Sequence, residues 1–330
     1  MNVSKERVLV TGAGGFIGSH LSEFLVRRGA EVRAVVHYNS RNDWGYLETV
    51  PAEVRDALEV RAIDVADSFA VHEVMEGCGV VFHLAALIGI PYSYVAPGSY
   101  LETNVRGTLN VLEAARRRSV KRVVHTSSSE VYGTARYTPI DEEHPLQGQS
   151  PYSASKIAAD KLAESYHRSF GVPVTVLRPF NTYGPRQSAR AVIPTVIAQI
   201  AQGASRLRLG NLEPVRDFTY VTDTARAFVA VAESDRAVGS VVNVASGKGI
   251  SIGELARKIL GLMKADIEIV SAPERLRLDP SEVHELVGGT ERIRSLTDWR
   301  PDVELEPGLV RAIDYVRERI TTYKTGTYVI

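Results

Sequence analysis

Three observations predict a doubly wound α/β fold, a parallel sheet with helices on both faces, followed by a smaller irregular α/β lobe. Through the first half of the chain, short β-branched runs alternate with stretches of helical periodicity. The runs are apolar almost throughout, as parallel strands covered on both faces require. After residue 180 the rhythm gives way to turn-rich, polar segments with prolines at 185, 194, 214, 273, 280, 301 and 307.

In chain order, "RVLVTG" (7–12) reads as the first strand and 16–28 as the first helix. "EVRAVV" (31–36) and "LEVRAIDV" (58–65) are the next strands, followed by a helix over 69–76. "GVVFHLA" (79–85) is a fourth strand, 100–117 a long helix, and "VKRVVHTSS" (120–128) a fifth strand. A helix over 153–169 leads to "VPVTVLRP" (172–179), the sixth. Residues 1–178 are thus expected to form a dinucleotide-binding domain, and 179–330 mainly a substrate-binding lobe. A helix near 222–234 and the strand "SVVNVAS" (240–246) are expected to return to the first domain, so 218–246 is counted with it. In such a sheet, ligands gather at the carboxyl ends of the strands.

Composition narrows the function classes. At 330 residues and 44% hydrophobic, the chain can bury a large core. Lys+Arg and Asp+Glu both total 39, so no overall basic field argues for nucleic acid. A single cysteine, Cys78, leaves no disulfide framework and no cysteine zinc site, and fits a reducing cytosol. No run of about 18 apolar residues argues for a transmembrane helix, and "MNVSKERVLVTG" lacks the apolar stretch of a signal peptide. A cytoplasmic location with no membrane partner is expected. No His/Asp/Glu set has metal-ligand spacing, so no catalytic metal is expected.

Gly12, Gly15 and Gly18 of "VTGAGGFIGSH" run from the end of the first strand into the first helix. Glycine there permits a tight turn and lets backbone approach a pyrophosphate. The helix start at Phe16 and Ile17 offers N–H groups and positive partial charge. The spacing is G-x-x-G-x-x-G, one residue off the dehydrogenase fingerprint. In this strand–turn–helix setting it predicts bound NAD(P), making the fold Rossmann-type. An acid ending the second strand would favour NAD by binding the ribose 2′-hydroxyl. His37 stands in that place, followed by Asn39, Ser40 and Arg41, which could hold a 2′-phosphate. The balance leans toward NADP. Asp64, with Val65 beside it, is a candidate for the adenine edge.

Tyr152 and Lys156 sit four apart at the start of a predicted helix, on one face. A lysine ammonium near a phenol favours phenolate, which can take a proton from a sugar hydroxyl as the carbon beneath gives up hydride. Ser128, after the fifth strand, would share that proton. With "TGAGGFIGSH", "HLAA", "ETNVRGTLNVLEAAR", "SSSEVYG", "PYSASK", "LRPFNTYGPR", "RDFTYVTD" and "NVASG", the chain resembles the extended short-chain dehydrogenase/reductases of the nucleotide-sugar epimerase/dehydratase family over nearly its whole length. That resemblance implies a tightly held nicotinamide cofactor, reduced and reoxidised within each turnover. It implies a sugar nucleotide bound between the lobes and a homodimer through helices near 100–117 and 153–169. Leu84, Ala85 and Ala86 of "HLAA", together with Tyr152 and Lys156, are expected against the cofactor. Asn104 is expected to fix main chain beside Tyr152, and His83 to pack without doing chemistry.

Glu130 separates the possible reactions. A 4-epimerase needs only hydride out and hydride back. A 4,6-dehydratase also needs a base to remove the C5 proton once C4 is a ketone. In the dehydratases that the chain resembles, this base is a glutamate just before "VYG" or "LYG", the place of Glu130. The acid assisting departure of the C6 hydroxyl is often an aspartate one residue earlier. Here that residue is Ser129, as in "TSELYG" of the GDP-mannose dehydratases. Nucleotide-uronic-acid decarboxylases also show "TSEVYG" and remain a rival. "HYNSRNDWGYLE", "AALIGIPYSYVAPGSY" and "EEHPLQGQSPYSASK" resemble the dehydratases of legionaminic-acid and related amino-sugar pathways, which act on UDP-N-acetylglucosamine or its GDP counterpart. The resemblance puts Asn181 on the sugar diphosphate. It makes Arg186, Arg216, Arg275 and Arg277 candidates for gripping substrate phosphates. A non-catalytic cofactor sensor on the same fold stays open as a further alternative.

Overall fold

The computed structural model describes residues 1–276 and 279–323. Seven parallel strands form one sheet: β1 (Arg7–Thr11), β2 (Glu31–Val36), β3 (Leu58–Ala62), β4 (Val80–His83), β5 (Arg122–Thr126), β6 (Val174–Pro179) and Val241–Val244, the seventh. Their spatial order runs from the Val241–Val244 strand through β6, β5, β4, β1 and β2 to β3. The direction of winding reverses at β1, which pairs with β2 on one side and β4 on the other. A crevice opens beyond the strand ends at such a reversal, and ligands bind there. The strands are continuously apolar because both faces are covered. Leu9 packs with Val111 and Leu112 on one face, while Val8 and Val10 pack with Leu21 and Phe228 on the other.

Several predicted boundaries shorten, each for a local reason. The third strand stops at Ala62 because Asp64 turns its carboxylate back to accept from the Ala66 N–H at 2.9 Å. The fifth stops at Thr126, where Ser128 begins a single 3-10 turn by capping the Glu130 N–H. The helix predicted over 100–117 is two pieces, a π-helical turn over Leu101–Arg106 and α-helix over Gly107–Arg117. The junction packs hard on β3's exit: a Cβ at Gly107 would stand 2.8 Å from Val65 Cγ2. The remaining helices used below are α1 (Phe16–Arg27) and α2 (Pro151–Phe170). Ser150 caps α2 through a reciprocal box with Ser153, which sets Tyr152 in its first turn.

After β6 the chain builds a second cluster of structure. Asn181–Tyr183, Val215–Tyr220, Gly249–Ser251 and Glu285–Leu286 make a small sheet, and Arg206–Leu209 pairs with Glu268–Ser271. Their core is separate from the large sheet's, with Val196, Ile197, Leu255, Ile259, Leu309 and Ile313 at its centre. The Val241–Val244 strand pairs with β6, and helix Val221–Glu233 packs on the large sheet through Ala225, Phe228 and Val229. No helix among the described residues is long and apolar enough to cross a membrane.

Candidate active site at the strand ends

The turn after β1 is shaped for backbone to approach something flat and anionic. Gly12 adopts φ +71°, and a Cβ there would lie 2.8 Å from the Ala85 nitrogen. At Gly18 a Cβ would run into the Gly12 carbonyl oxygen. Helix α1 begins at Phe16 with Gly15 as N-cap and no side-chain cap, so nothing from a side chain satisfies the first N–H groups at Phe16 and Ile17. These features fit a dinucleotide pyrophosphate.

The neighbouring strand ends complete that wall. Thr11 Oγ1 accepts from the Leu84 and Ala85 N–H groups, each at 3.1 Å, and lies 2.8 Å from His83 Nδ1. Thr108 Oγ1 gives its proton to the Asn104 carbonyl at 2.6 Å, so it accepts from His83 Nε2, 3.1 Å away. The ring is therefore neutral, with its proton on Nε2 and Nδ1 receiving the Thr11 hydroxyl. Burial, foremost, holds the imidazole well below its ordinary pKa. His83 is a strut beneath Leu84 and Ala85, with Ala86 next along the same half-buried run.

At the end of β2, His37 is exposed, with Nε2 3.9 Å from Asp64 Oδ2. Asn39 is occupied with its own loop. Its Oδ1 accepts from the Arg41 and Asp43 N–H groups at 3.1 Å each, and its amide donates to the Asp43 carbonyl at 2.7 Å. Ser40 and Arg41 are exposed, and Arg41 lies 3.6 Å from the Asp43 carboxylate. Val65 is buried under Gly107.

Ser128, Glu130 and Tyr152 come together between β5 and α2. The Ser128 hydroxyl is near enough to the Tyr152 phenol to lower its pKa, and the Glu130 charge acts on the same phenol. Burial is the largest influence and raises the Tyr152 pKa. Glu130 raises it further, and the Ser128 hydroxyl lowers it. Ser129 is buried in the same turn, at 3% exposure. Lys156 is buried below Tyr152, and its Nζ donates to the Thr126 carbonyl at 2.5 Å. Burial pulls its pKa down to about 8 against the upward effect of Asp160. The spacing of Tyr152 and Lys156 predicts a lysine that favours phenolate. In the structure its ammonium is aimed at β5's last carbonyl, and the phenol is held protonated by burial.

Asn104 fixes main chain at Leu87. Its Oδ1 accepts from Leu87 N–H at 2.8 Å, and its Nδ2 donates to the Leu87 carbonyl and to Ser155 Oγ, at 3.0 and 2.9 Å. Ser155, unremarked in the sequence, thereby ties α2 to the β4 exit. So does Tyr100, whose ring meets the Tyr152 ring edge-on at 6.2 Å. Asp160 and Arg178 were also missed, though K-x-x-x-D on one helix face was a readable signal.

The substrate-side candidates separate. Asn181 has its amide nitrogen buried without a hydrogen-bond partner among the described residues, a donor awaiting an acceptor. Arg216 is buried and holds the 282–284 segment, donating to the Val283 carbonyl at 2.7 Å and lying 3.7 Å from Glu282. Arg275 is half-buried, with its backbone carbonyl close over Gly210. Arg277 lies outside the described residues.

Arg186 departs from expectation. With φ +66° its backbone turns the side chain onto α1, where Nη2 meets Glu23 Oε2 at 2.7 Å. Burial alone would raise the Glu23 carboxyl, but Arg186 and Arg27 hold it low. Arg186→Met is therefore expected to lower stability by roughly 2 kcal/mol, less than for a fully buried pair because Glu23 keeps some water. Urea unfolding checks this. Unchanged stability with a raised KM for substrate would return Arg186 to the phosphate-binding set. No group of three or more His, Cys, Asp or Glu among the described residues could hold a metal ion.

Residues 9–312 match the family described as GDP-mannose 4,6 dehydratase. The chain is similar to the UDP-N-acetyl-alpha-D-glucosaminuronate decarboxylase of Bacillus cytotoxicus, 33% identical over 95% of this chain and 98% of that one. Among solved structures it is similar to a UDP-N-acetylglucosamine 4-epimerase from Methanobrevibacter ruminantium in complex with UDP-N-acetylmuramic acid (30% identical, TM-score 0.86, covering 97% of this chain and 100% of that one). It is also similar to the dTDP-glucose 4,6-dehydratase DesIV from Streptomyces venezuelae with NAD and TYD bound (28% identical, TM-score 0.84, covering 96% of this chain and 99% of that one). Three reactions are thus represented at similar distance.

Proposed function

The chain belongs to the extended short-chain dehydrogenase/reductase family of nucleotide-sugar epimerases and dehydratases, and from that premise we propose that it is a 4,6-dehydratase. Its substrate is UDP-N-acetylglucosamine or the GDP counterpart, and its product the 4-keto-6-deoxy sugar nucleotide. The observation that carries this reading is Glu130, an acid whose charge reaches the Tyr152 phenol from the turn that also presents Ser128 to it. A carboxylate there is superfluous for epimerisation and suited to removing the C5 proton.

A bound nicotinamide dinucleotide supplies the hydride acceptor and the hydride that returns at C6. Gly12, Gly15, Phe16, Ile17 and Gly18 would hold its pyrophosphate, with Leu84–Ala86, Asp64 and Val65 along its length. Tyr152, once it is phenolate beside the Lys156 ammonium, takes the C4 hydroxyl proton, shared with Ser128. Glu130 then takes the C5 proton and gives it to the C6 hydroxyl, which leaves as water with Ser129 beside the departing oxygen, and a solvent proton at C5 balances the hydride returned at C6. Asn181 and Arg216 bind the diphosphate, and Arg275 and Arg277 are kept as candidates for it. In this reading, residues 1–178 with 218–246 carry the dinucleotide, and 179–330 mainly carry the sugar nucleotide. Leu101 and Leu109, 57% and 38% exposed, would meet their copies in a cytoplasmic homodimer.

Two observations support NAD over the NADP toward which the sequence leans. Arg41 stands by Asp43, and Asp64 adds a second carboxylate beside His37. DesIV was solved with NAD. Denaturing the purified protein and identifying the released dinucleotide is expected to yield NAD; recovery of NADP alone would restore the phosphate role of Arg41.

Decarboxylation is the second reading, favoured by Ser129 and by the similarity to the Bacillus cytotoxicus enzyme. Mass spectrometry on a panel of UDP- and GDP-sugars separates the reactions. Loss of about 18 mass units marks dehydration, loss of about 44 decarboxylation, and no change epimerisation. Dehydration of the N-acetylglucosamine nucleotide is expected.

A further inference from the structure

Asp160 lies one helical turn beyond Lys156 on α2 and is completely buried. Its Oδ2 accepts from Ser127 Oγ at 2.8 Å and from Nε and Nη2 of Arg178 at 3.0 Å each. Its Oδ1 lies 3.3 Å from His125 Nε2, close but poorly aligned for a hydrogen bond. Arg178, 2% exposed, also donates to the Tyr132 hydroxyl at 3.0 Å. A buried carboxylate and guanidinium meet each other's need for a partner. That pairing alone does not explain the position of the carboxylate on the face that bears Lys156.

Lys156 is buried too, at 3% exposure, and its ammonium donates to a neutral carbonyl, that of Thr126. Tyr152 and Asp160 share its helix. His83 of β4 and His125 of β5 both feel its charge, and both are held low, chiefly by burial. Arg178 faces Asp160 from β6, and Glu130 acts on Tyr152 from the turn after β5. Of these, Asp160 is the group whose charge opposes the effect of burial on Lys156. Burial alone would raise the Asp160 carboxyl, but His125, Arg178 and Ser127 hold it below its usual range.

We infer that Asp160 is a positioning residue for C4 oxidation: held as a carboxylate by Arg178 and Ser127, it keeps the buried Lys156 ammonium charged beside Tyr152. The inference rests on assigning Tyr152 and Lys156 to the oxidation step. It is indifferent to whether dehydration, epimerisation or decarboxylation follows.

The chain has eight lysines, few enough for 13Cε-lysine NMR of the protein with its resident dinucleotide, and Lys156→Arg identifies the Lys156 signal. In Asp160→Asn the Lys156 midpoint should fall by at least about one pH unit, roughly tenfold in its ionisation constant. The alkaline limb of single-turnover C4 oxidation should move down with it, so that activity lost at neutral pH returns on acidification. Arg178→Met removes the cation that holds Asp160 as a carboxylate, so Asp160 should take up a proton and the midpoint should fall as in Asp160→Asn. A purely structural pair would lose stability in both variants and leave the midpoint still, which would overturn the inference. If Asp160→Asn does not fold, Arg178→Met decides by the same rule. In the unmodified protein, titration of the Asp160 carboxyl between about pH 6 and 9 would also overturn it. The midpoint is read without turnover. Failure of Lys156 as an oxidation residue would therefore appear in activity alone and leave these shifts intact.

Discussion

Replacing Tyr152 by Phe is expected to cost turnover on the order of 100- to 10,000-fold while the protein stays folded and keeps its dinucleotide. The change removes one oxygen. The ring keeps its edge contact with Tyr100, and α2 keeps the Ser150–Ser153 capping box. What is lost is the hydroxyl that feels both Ser128 and Glu130. Burial leaves this phenol protonated in the structure, so its use as a base depends on positive charge in the site. Lys156, pulled down to about 8, carries that charge at neutral pH and sheds it above. The rate of C4 oxidation should therefore fall as pH rises through about 8 in the unmodified enzyme. Stopped-flow measurement of nicotinamide reduction in single turnovers tests both points. Near-normal reduction by a folded Tyr152→Phe variant would remove Tyr152 from the mechanism.

The sheet was legible because parallel strands covered on both faces carry a continuous apolar signal. β2 falls on its predicted residues, 31–36, since its limits are set by that signal alone. β3 and β5 overran because their ends are set by side-chain caps, Asp64 on Ala66 and Ser128 on Glu130, which a hydrophobic pattern does not register. The site was legible where chemistry is local. Ser128 and Glu130 share one turn, and Tyr152 and Lys156 share one helix face. It was illegible where partners come from distant elements. Arg178 and Asp160 belong to different motifs, and only the packing of β6 against α2 joins them. Arg186 was misdirected by its motif. A left-handed backbone conformation, which sequence context hardly predicts for arginine, turns it onto Glu23.

Glu130→Gln is expected to divide the reaction at its middle. The substitution keeps the shape and the 3-10 turn, whose cap uses the main-chain N–H of residue 130 and not its side chain. Oxidation at C4 requires Ser128, Tyr152 and Lys156, all of which remain. With one negative charge gone from beside Tyr152, phenolate should form more readily, so the first half-reaction should be no slower. Elimination needs a base at C5, and among the strand-end residues 126–130 Glu130 is the one carboxylate. Loss of a positioned general base costs on the order of 100- to 10,000-fold, so the 4-keto intermediate should persist. Reduced nicotinamide should then accumulate in single turnovers with UDP-N-acetylglucosamine or its GDP counterpart, and solvent deuterium should cease to enter at C5. Formation of the 4-keto-6-deoxy product at the unmodified rate would make Glu130 structural and send the search for the base elsewhere. A C4 epimer released by the unmodified enzyme, with no loss of water, would dispose of the dehydratase reading altogether. It would also leave the charge of Glu130 as a modulator of the Tyr152 phenol.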